Sequence, residues 1–244
     1  MASPRKHPAV KVAGGLARGF RWPLMIYGLI YVLMFAAVQL AMSIFNMSED
    51  SAASLWGGFG ISPKMFLLVL GILLTPFMLP AFVANGVTRK RFVQGTTLMI
   101  ALLSVLFALL ATAAYPLAAY FFDQAIWSEQ MDYGQLFTSS EQYGIIFLDH
   151  VLQFFTYFVT GWMFGSLFYR FDWKWATVLL FPAMAPFIVV EAALSVSGIK
   201  EHLGLSEGGA VTVGVLISFA VAAITVWLVY SMLKQVAIKK KAWV

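Results

Sequence analysis

The chain has 244 residues, of which 61% are hydrophobic and 11% charged, and its mean hydropathy of +0.84 excludes an ordinary soluble domain. Its formal net charge of +5 is that of a membrane protein with basic cytoplasmic loops, not of a nucleic-acid binder, because the cations fall between apolar runs. Cysteine is absent, which excludes disulfides, thiolate metal sites and cysteine nucleophiles.

Residues 1–21 form a basic tail with Arg5, Lys6, Lys11, Arg18 and Arg21. Within it, Val10, Val12, Leu16 and Phe20 alternate with the cations and predict a short amphipathic helix on the inner leaflet, weakened by Gly14, Gly15 and Gly19. Residues 22–233 then hold six apolar stretches: Trp22 to Phe45, Met65 to Ala84, Phe92 to Ala114, Ile145 to Tyr169, Trp175 to Val196 and Ala210 to Leu233. Each approaches the roughly 20 residues that cross a hydrocarbon core, so the fold class is an all-α integral membrane protein with six transmembrane helices. The first stretch exceeds a signal-peptide core of about 7–15 residues, and we expect no cleaved leader. Residues 234–244 form a second basic tail.

Charge orients these spans. Fourteen of the sixteen cations lie in the two tails, at Arg89, Lys90 and Arg91, and at Arg170 and Lys174. The intervening connections hold only Lys64 and Lys200, with eight of the eleven acids. Both termini are therefore expected in the cytoplasm.

After the second span comes Asn85-Gly86-Val87-Thr88-Arg89-Lys90-Arg91-Phe92. Gly86 suits the left-handed conformation that ends a helix, and Thr88 suits the N-cap of the next. Pro76 and Pro80 in the second span, and Pro182 and Pro186 in the fifth, are pairs spaced i, i+4 that bend their helices and are candidate kinks along a transport path. The third connection, Tyr115 to Gly144, is the longest and is expected outside, with an interfacial turn near Phe121 to Trp127.

Asp149 and His150 open the fourth span, and Glu191 lies about 24 Å along the fifth at 1.5 Å per residue, in the outer part of the membrane. They are candidates either for a polar outer vestibule, in which His150 meets Glu191 or Asp149, or for structural pairing near the interface. Gly161 and Gly165 form a G-x-x-x-G, extended by Ser166, at which another helix can approach closely, in this chain or in a second one.

Catalytic motifs are missing. There is no H-E-x-x-H, no G-x-S-x-G and no G-x-x-x-x-G-K-[ST], so no metal site or nucleotide site is predicted, and ATP would act only through a partner. Leu205-Ser206-Glu207-Gly208-Gly209 superficially matches an ATPase signature but lies on the predicted outer side.

The order of a basic tail, six spans, the Asn85 to Phe92 turn and Gly161 to Trp173 resembles an ABC-2-type transporter permease of Gram-positive bacteria. The resemblance covers almost the whole chain. It implies a bacterial cytoplasmic-membrane protein, a dimer of like or unlike permeases, and two cytoplasmic ABC ATPase subunits carrying ATP and Mg. It also implies that residues 85 to 92 transmit ATP-driven closure, that the N-terminal segment is an inner-leaflet interface helix, and that the connection after span five is an outer re-entrant region. An exporter is the leading expectation, with no enzyme activity or cofactor in this chain. The alternative is a membrane immunity, sensor or assembly protein that binds a hydrophobic ligand without transporting it.

Overall fold

The computed structural model describes residues 7–45, 49–121, 136–137, 141–195, 199–200 and 204–236. Among these residues the chain is helical, without strands. In order, the helices are α1 (Pro8–Gly19), α2 (Arg21–Phe45), α3 (Glu49–Leu73), a π-helical turn (Leu74–Met78), α4 (Leu79–Ala84), α5 (Arg89–Phe121), α6 (Tyr143–Arg170), α7 (Trp173–Ala183), α8 (Ala185–Leu194) and α9 (Glu207–Leu233).

Among the described residues, five segments are long and apolar enough to cross a bilayer: Gly60–Ala84, Arg89–Leu117, Tyr143–Arg170, Trp173–Leu194 and Glu207–Leu233. A sixth is reached if α1 and the Arg21–Ala37 part of α2, bent by 60°, count as one. This is the make-up of a multi-pass membrane protein. The predicted interfacial turn beyond Phe121, half of the connection after span five and the outermost parts of both tails lie outside the described residues.

Two boundaries differ from the sequence expectation. Helix α3 begins at Glu49, well before Met65, and α5 runs past Ala114 to Phe121. Hydropathy marks where a helix meets lipid, whereas the helix itself continues as long as its backbone groups stay paired. Pro63 and Pro116 sit inside these extensions and each removes one donor without ending the helix. Lys64, placed by the sequence in a connection, therefore belongs to a span.

Helix α6 is the centre of the bundle. It packs against α3, α5, α7, α8 and α9 and is buried along most of its length, with Phe158 and Trp162 fully enclosed. Its close contact with α3 depends on residues without side chains. A Cβ on Gly161 would collide with the Leu68 carbonyl, one on Gly165 with the Ile72 carbonyl, and one on Gly71 would lie 2.7 Å from the Trp162 amide nitrogen. The G-x-x-x-G thus packs within this chain.

Beside that contact, the Trp162 indole donates to Thr75 Oγ1 at 3.0 Å and Ser166 Oγ donates to the Trp162 carbonyl at 2.8 Å. Because the single Ser166 hydrogen is thereby used, Thr75 is the donor in its 2.8 Å bond to Ser166 Oγ. Three side chains and the Trp162 backbone carbonyl thus close a ring of hydrogen bonds deep in an apolar core.

Helix α1 starts with Pro8 at its first turn and His7 Nδ1 accepting the Ala9 amide at 3.4 Å. Ala9, Val12, Ala13, Leu16 and Phe20 are buried, while Lys11 and Arg18 are exposed, an amphipathic division from which the predicted Val10, itself exposed, departs. Two of the glycines that weaken the helix in isolation serve its packing, Gly15 beneath the Phe82 ring and Gly19 beside the Met78 side chain, whereas Gly14 faces open space.

Candidate functional site

The cation-bearing turn is built by two helix caps. Gly86, at φ 78°, ends α4; its amide bonds to the Val83 carbonyl and the Val87 amide to the Phe82 carbonyl, each at 3.0 Å. These are the paired bonds of a Schellman cap, and Val87 packs onto the core as such a cap requires. Thr88 then starts α5, with Oγ1 accepting the Arg91 amide at 3.4 Å and its carbonyl accepting the Phe92 amide at 2.9 Å. Phe92 is fully buried.

This geometry separates three cations that are adjacent in sequence. Arg89 turns inward and donates through Nη2 to the Val236 carbonyl at 2.8 Å. Arg170, at the end of α6, donates through Nη1 to the Ser231 and Met232 carbonyls at 3.0 and 2.7 Å. Arg170 thus serves the last turn of α9, where carbonyls lack helical partners and the helix dipole favours positive charge, and Arg89 holds the segment just beyond it. Lys90 and Arg91 remain exposed. The turn, α1, Arg170 and the end of α9 therefore share one end of the bundle.

The opposite end holds the ionisable groups Lys64, Asp149, His150 and Glu191. Glu191 Oε1 accepts Lys64 Nζ at 2.7 Å and the Tyr157 hydroxyl at 2.9 Å, joining α8, α3 and α6. The Lys64 ammonium also lies 5.5 Å from the Tyr157 ring centroid. Asp149 is fully buried; its Oδ2 accepts Gln153 Nε2 at 2.8 Å, and the Leu136 backbone amide also faces the carboxylate.

His150 Nδ1 lies 3.0 Å from the Ile146 carbonyl, which can only accept, so this nitrogen carries a hydrogen. It is 3.7 Å from Asp149 Oδ2, and the ring meets Tyr115 and Phe154 edge-on. Leu136 and Phe137 fold in above: Leu136 packs in the cluster containing Leu152, Val190 and Leu194, and Phe137 in the one containing Tyr115 and Ile146. The predicted trio thus divides, with Glu191 on Lys64 and Tyr157 and with His150 beside Asp149. Lys64 is the partner that the sequence reading missed. Among the described residues, no group of three or more His, Asp or Glu could hold a metal ion.

Both proline pairs stand at breaks in their spans. Pro76 lies in the π-helical turn and Pro80 in the first turn of α4; Pro182 is near the end of α7 and Pro186 in the first turn of α8. A groove of about 470 Å³ passes Pro182 and Pro186 between α6, α7, α8 and α9. A larger cleft of about 760 Å³ lies between α5, α6 and α9. Helices α5 and α9 both pack on α6 but barely touch one another, and the small side chains Ala101, Ala222 and Ala223 hold the gap open.

No protein-family model matches this chain, and neither a curated protein nor a solved structure matches it.

Proposed function

We propose that this chain is the membrane-spanning permease subunit of an ATP-driven exporter in a bacterial cytoplasmic membrane, coupled to separate ABC ATPase subunits. The resemblance of residues 85–92 and 161–173 to ABC-2-type permeases motivates the reading. The observation that supports it best is the doubly capped turn at Gly86 and Thr88, which joins two spans rigidly and leaves Arg91 exposed. A partner that moves such a turn moves α4 and α5 with it. A loose loop would absorb the displacement instead.

The end that carries the turn is also the cation-rich end, and the positive-inside bias assigns it to the cytoplasm, where an ATPase is available. Each exposed cation gains about 1 kcal/mol beside anionic lipid, so membrane anchoring accompanies the coupling role. Arg91 would pair with acids on the ATPase. A second permease, like or unlike this one, would complete the transport path, and this chain would have no catalytic residues or cofactor of its own.

The cleft between α5, α6 and α9 favours one other reading, a membrane protein that holds a hydrophobic ligand without transporting it. Purification of the tagged chain from native membranes separates the two. Co-purification of a protein bearing a nucleotide-binding motif supports the permease; its absence with a bound apolar compound present supports the other.

A further inference from the structure

The cleft between α5, α6 and α9 has a chemical gradient along its length. At the cation-rich end its lining includes Lys90, Gln94, Thr97 and Tyr230; further in it becomes aliphatic and aromatic, with Ala101, Val105, Phe219 and Trp227. No carboxylate lines it. Lys90 is exposed, and no acid pairs with it among the described residues. Thr97 already donates its hydroxyl hydrogen to the Val93 carbonyl. The hydrogens offered at this mouth thus come from the Lys90 ammonium, the Gln94 amide and the Tyr230 hydroxyl, a set that matches an anion's oxygens.

Length identifies the rest of the occupant. From Lys90 to Val105 the α5 wall runs fifteen residues, about 22 Å at 1.5 Å per residue. Half of a bilayer with its headgroup layers is also about 20–22 Å. The cleft is one monolayer deep, charged where headgroups lie and apolar where chains lie.

We propose that this cleft binds one anionic phospholipid from the leaflet at the cation-rich end, with its phosphate at Lys90 and Gln94 and one acyl chain laid past Ala101, Val105 and Trp227. A water-filled path is a poor fit, because the inner two thirds offers few polar partners and Thr156 turns its hydroxyl hydrogen back to the Leu152 carbonyl. The site does not depend on the transporter reading, since Lys90 faces the cleft whatever contacts Arg91.

The test uses the purified full-length chain in detergent, titrated with phosphatidylglycerol or with phosphatidylcholine of the same acyl chains, and bound lipid counted by native mass spectrometry. Phosphatidylglycerol should bind about tenfold more tightly, because phosphatidylcholine offers the same phosphate but sets its own choline cation against the Lys90 ammonium. Lys90→Gln should remove that preference, whereas Arg91→Gln, outside the cleft, should keep it. Ala101→Phe or Ala222→Phe, which fill the cleft from different helices, should weaken both lipids. Glycerol phosphate, which has the anion without the chains, should displace neither. Equal binding of the two lipids, an equal loss in Arg91→Gln and Lys90→Gln, unaltered binding in the filled variants, or displacement by glycerol phosphate would each overturn the proposal.

Discussion

The carbonyl oxygen of Ile72 occupies the space in which a side chain on Gly165 would begin. In a regular α-helix that carbonyl would accept a hydrogen from the residue four positions on, which is Pro76 and has none to give. The proline and the glycine are thus two halves of one contact, in which an irregular stretch of α3 lies directly on α6. Gly165→Ala and Gly161→Ala should each destabilise the bundle by about 1–3 kcal/mol, because backbone has to move. Gly144→Ala, where a Cβ meets nothing within 4 Å, should be nearly neutral. Thermal unfolding in detergent distinguishes them.

The ring of Trp162, Thr75 and Ser166 predicts an order among its own variants. Thr75→Val orphans the indole hydrogen and removes the donor to Ser166, so it should cost about 1–3 kcal/mol. Ser166→Ala orphans only the Thr75 hydroxyl and should cost less. Unfolding midpoints for the two variants check the ranking.

Lys64 and Glu191 make a pair whose removal is asymmetric. Lys64→Met leaves Glu191 with the Tyr157 hydroxyl alone and should cost about 1–2 kcal/mol, below the range for wholly buried pairs because the Glu191 side chain is 34% exposed. The exchange Lys64→Glu with Glu191→Lys should recover part of that loss. A double-mutant cycle on unfolding midpoints measures the coupling.

Arg89 and Arg91 are two positions apart and should behave differently. Arg89→Glu loses the bond to the Val236 carbonyl and sets an acid against the negative end of α9, so it should lower stability. Arg91→Glu should leave stability unchanged and weaken only partner capture. Gly86→Ala, at φ 78°, should cost about 1–2 kcal/mol and loosen the turn. Unfolding measured beside pull-down of the proposed ATPase partner separates these effects.

What was legible in the sequence was what depends on neighbours along the chain. Gly86 as a cap, Thr88 as an N-cap, the amphipathic α1 and the small-residue motif on α6 each carry a local signature, although Val10, read into the apolar set of α1, is exposed. Long-range pairing was not legible. Nothing near Gly161 names Leu68, and nothing near Glu191 names Lys64, which hydropathy had placed in a connection because one cation lowers the local average. The cations of the turn looked equivalent because their division arises from the 100° that separates successive residues on α5. The cleft was invisible for the same reason, since its walls come from helices far apart in sequence.

The proposed coupling role of the turn is tested most directly by placing a photocrosslinking residue at Arg91 and, in a separate variant, at Gly144 on the opposite end of the bundle, and irradiating native membranes. The account predicts an adduct from position 91 with a cytoplasmic protein that carries a nucleotide-binding motif, and none of that protein from position 144. No such adduct from position 91, or the same adduct from both positions, would contradict it.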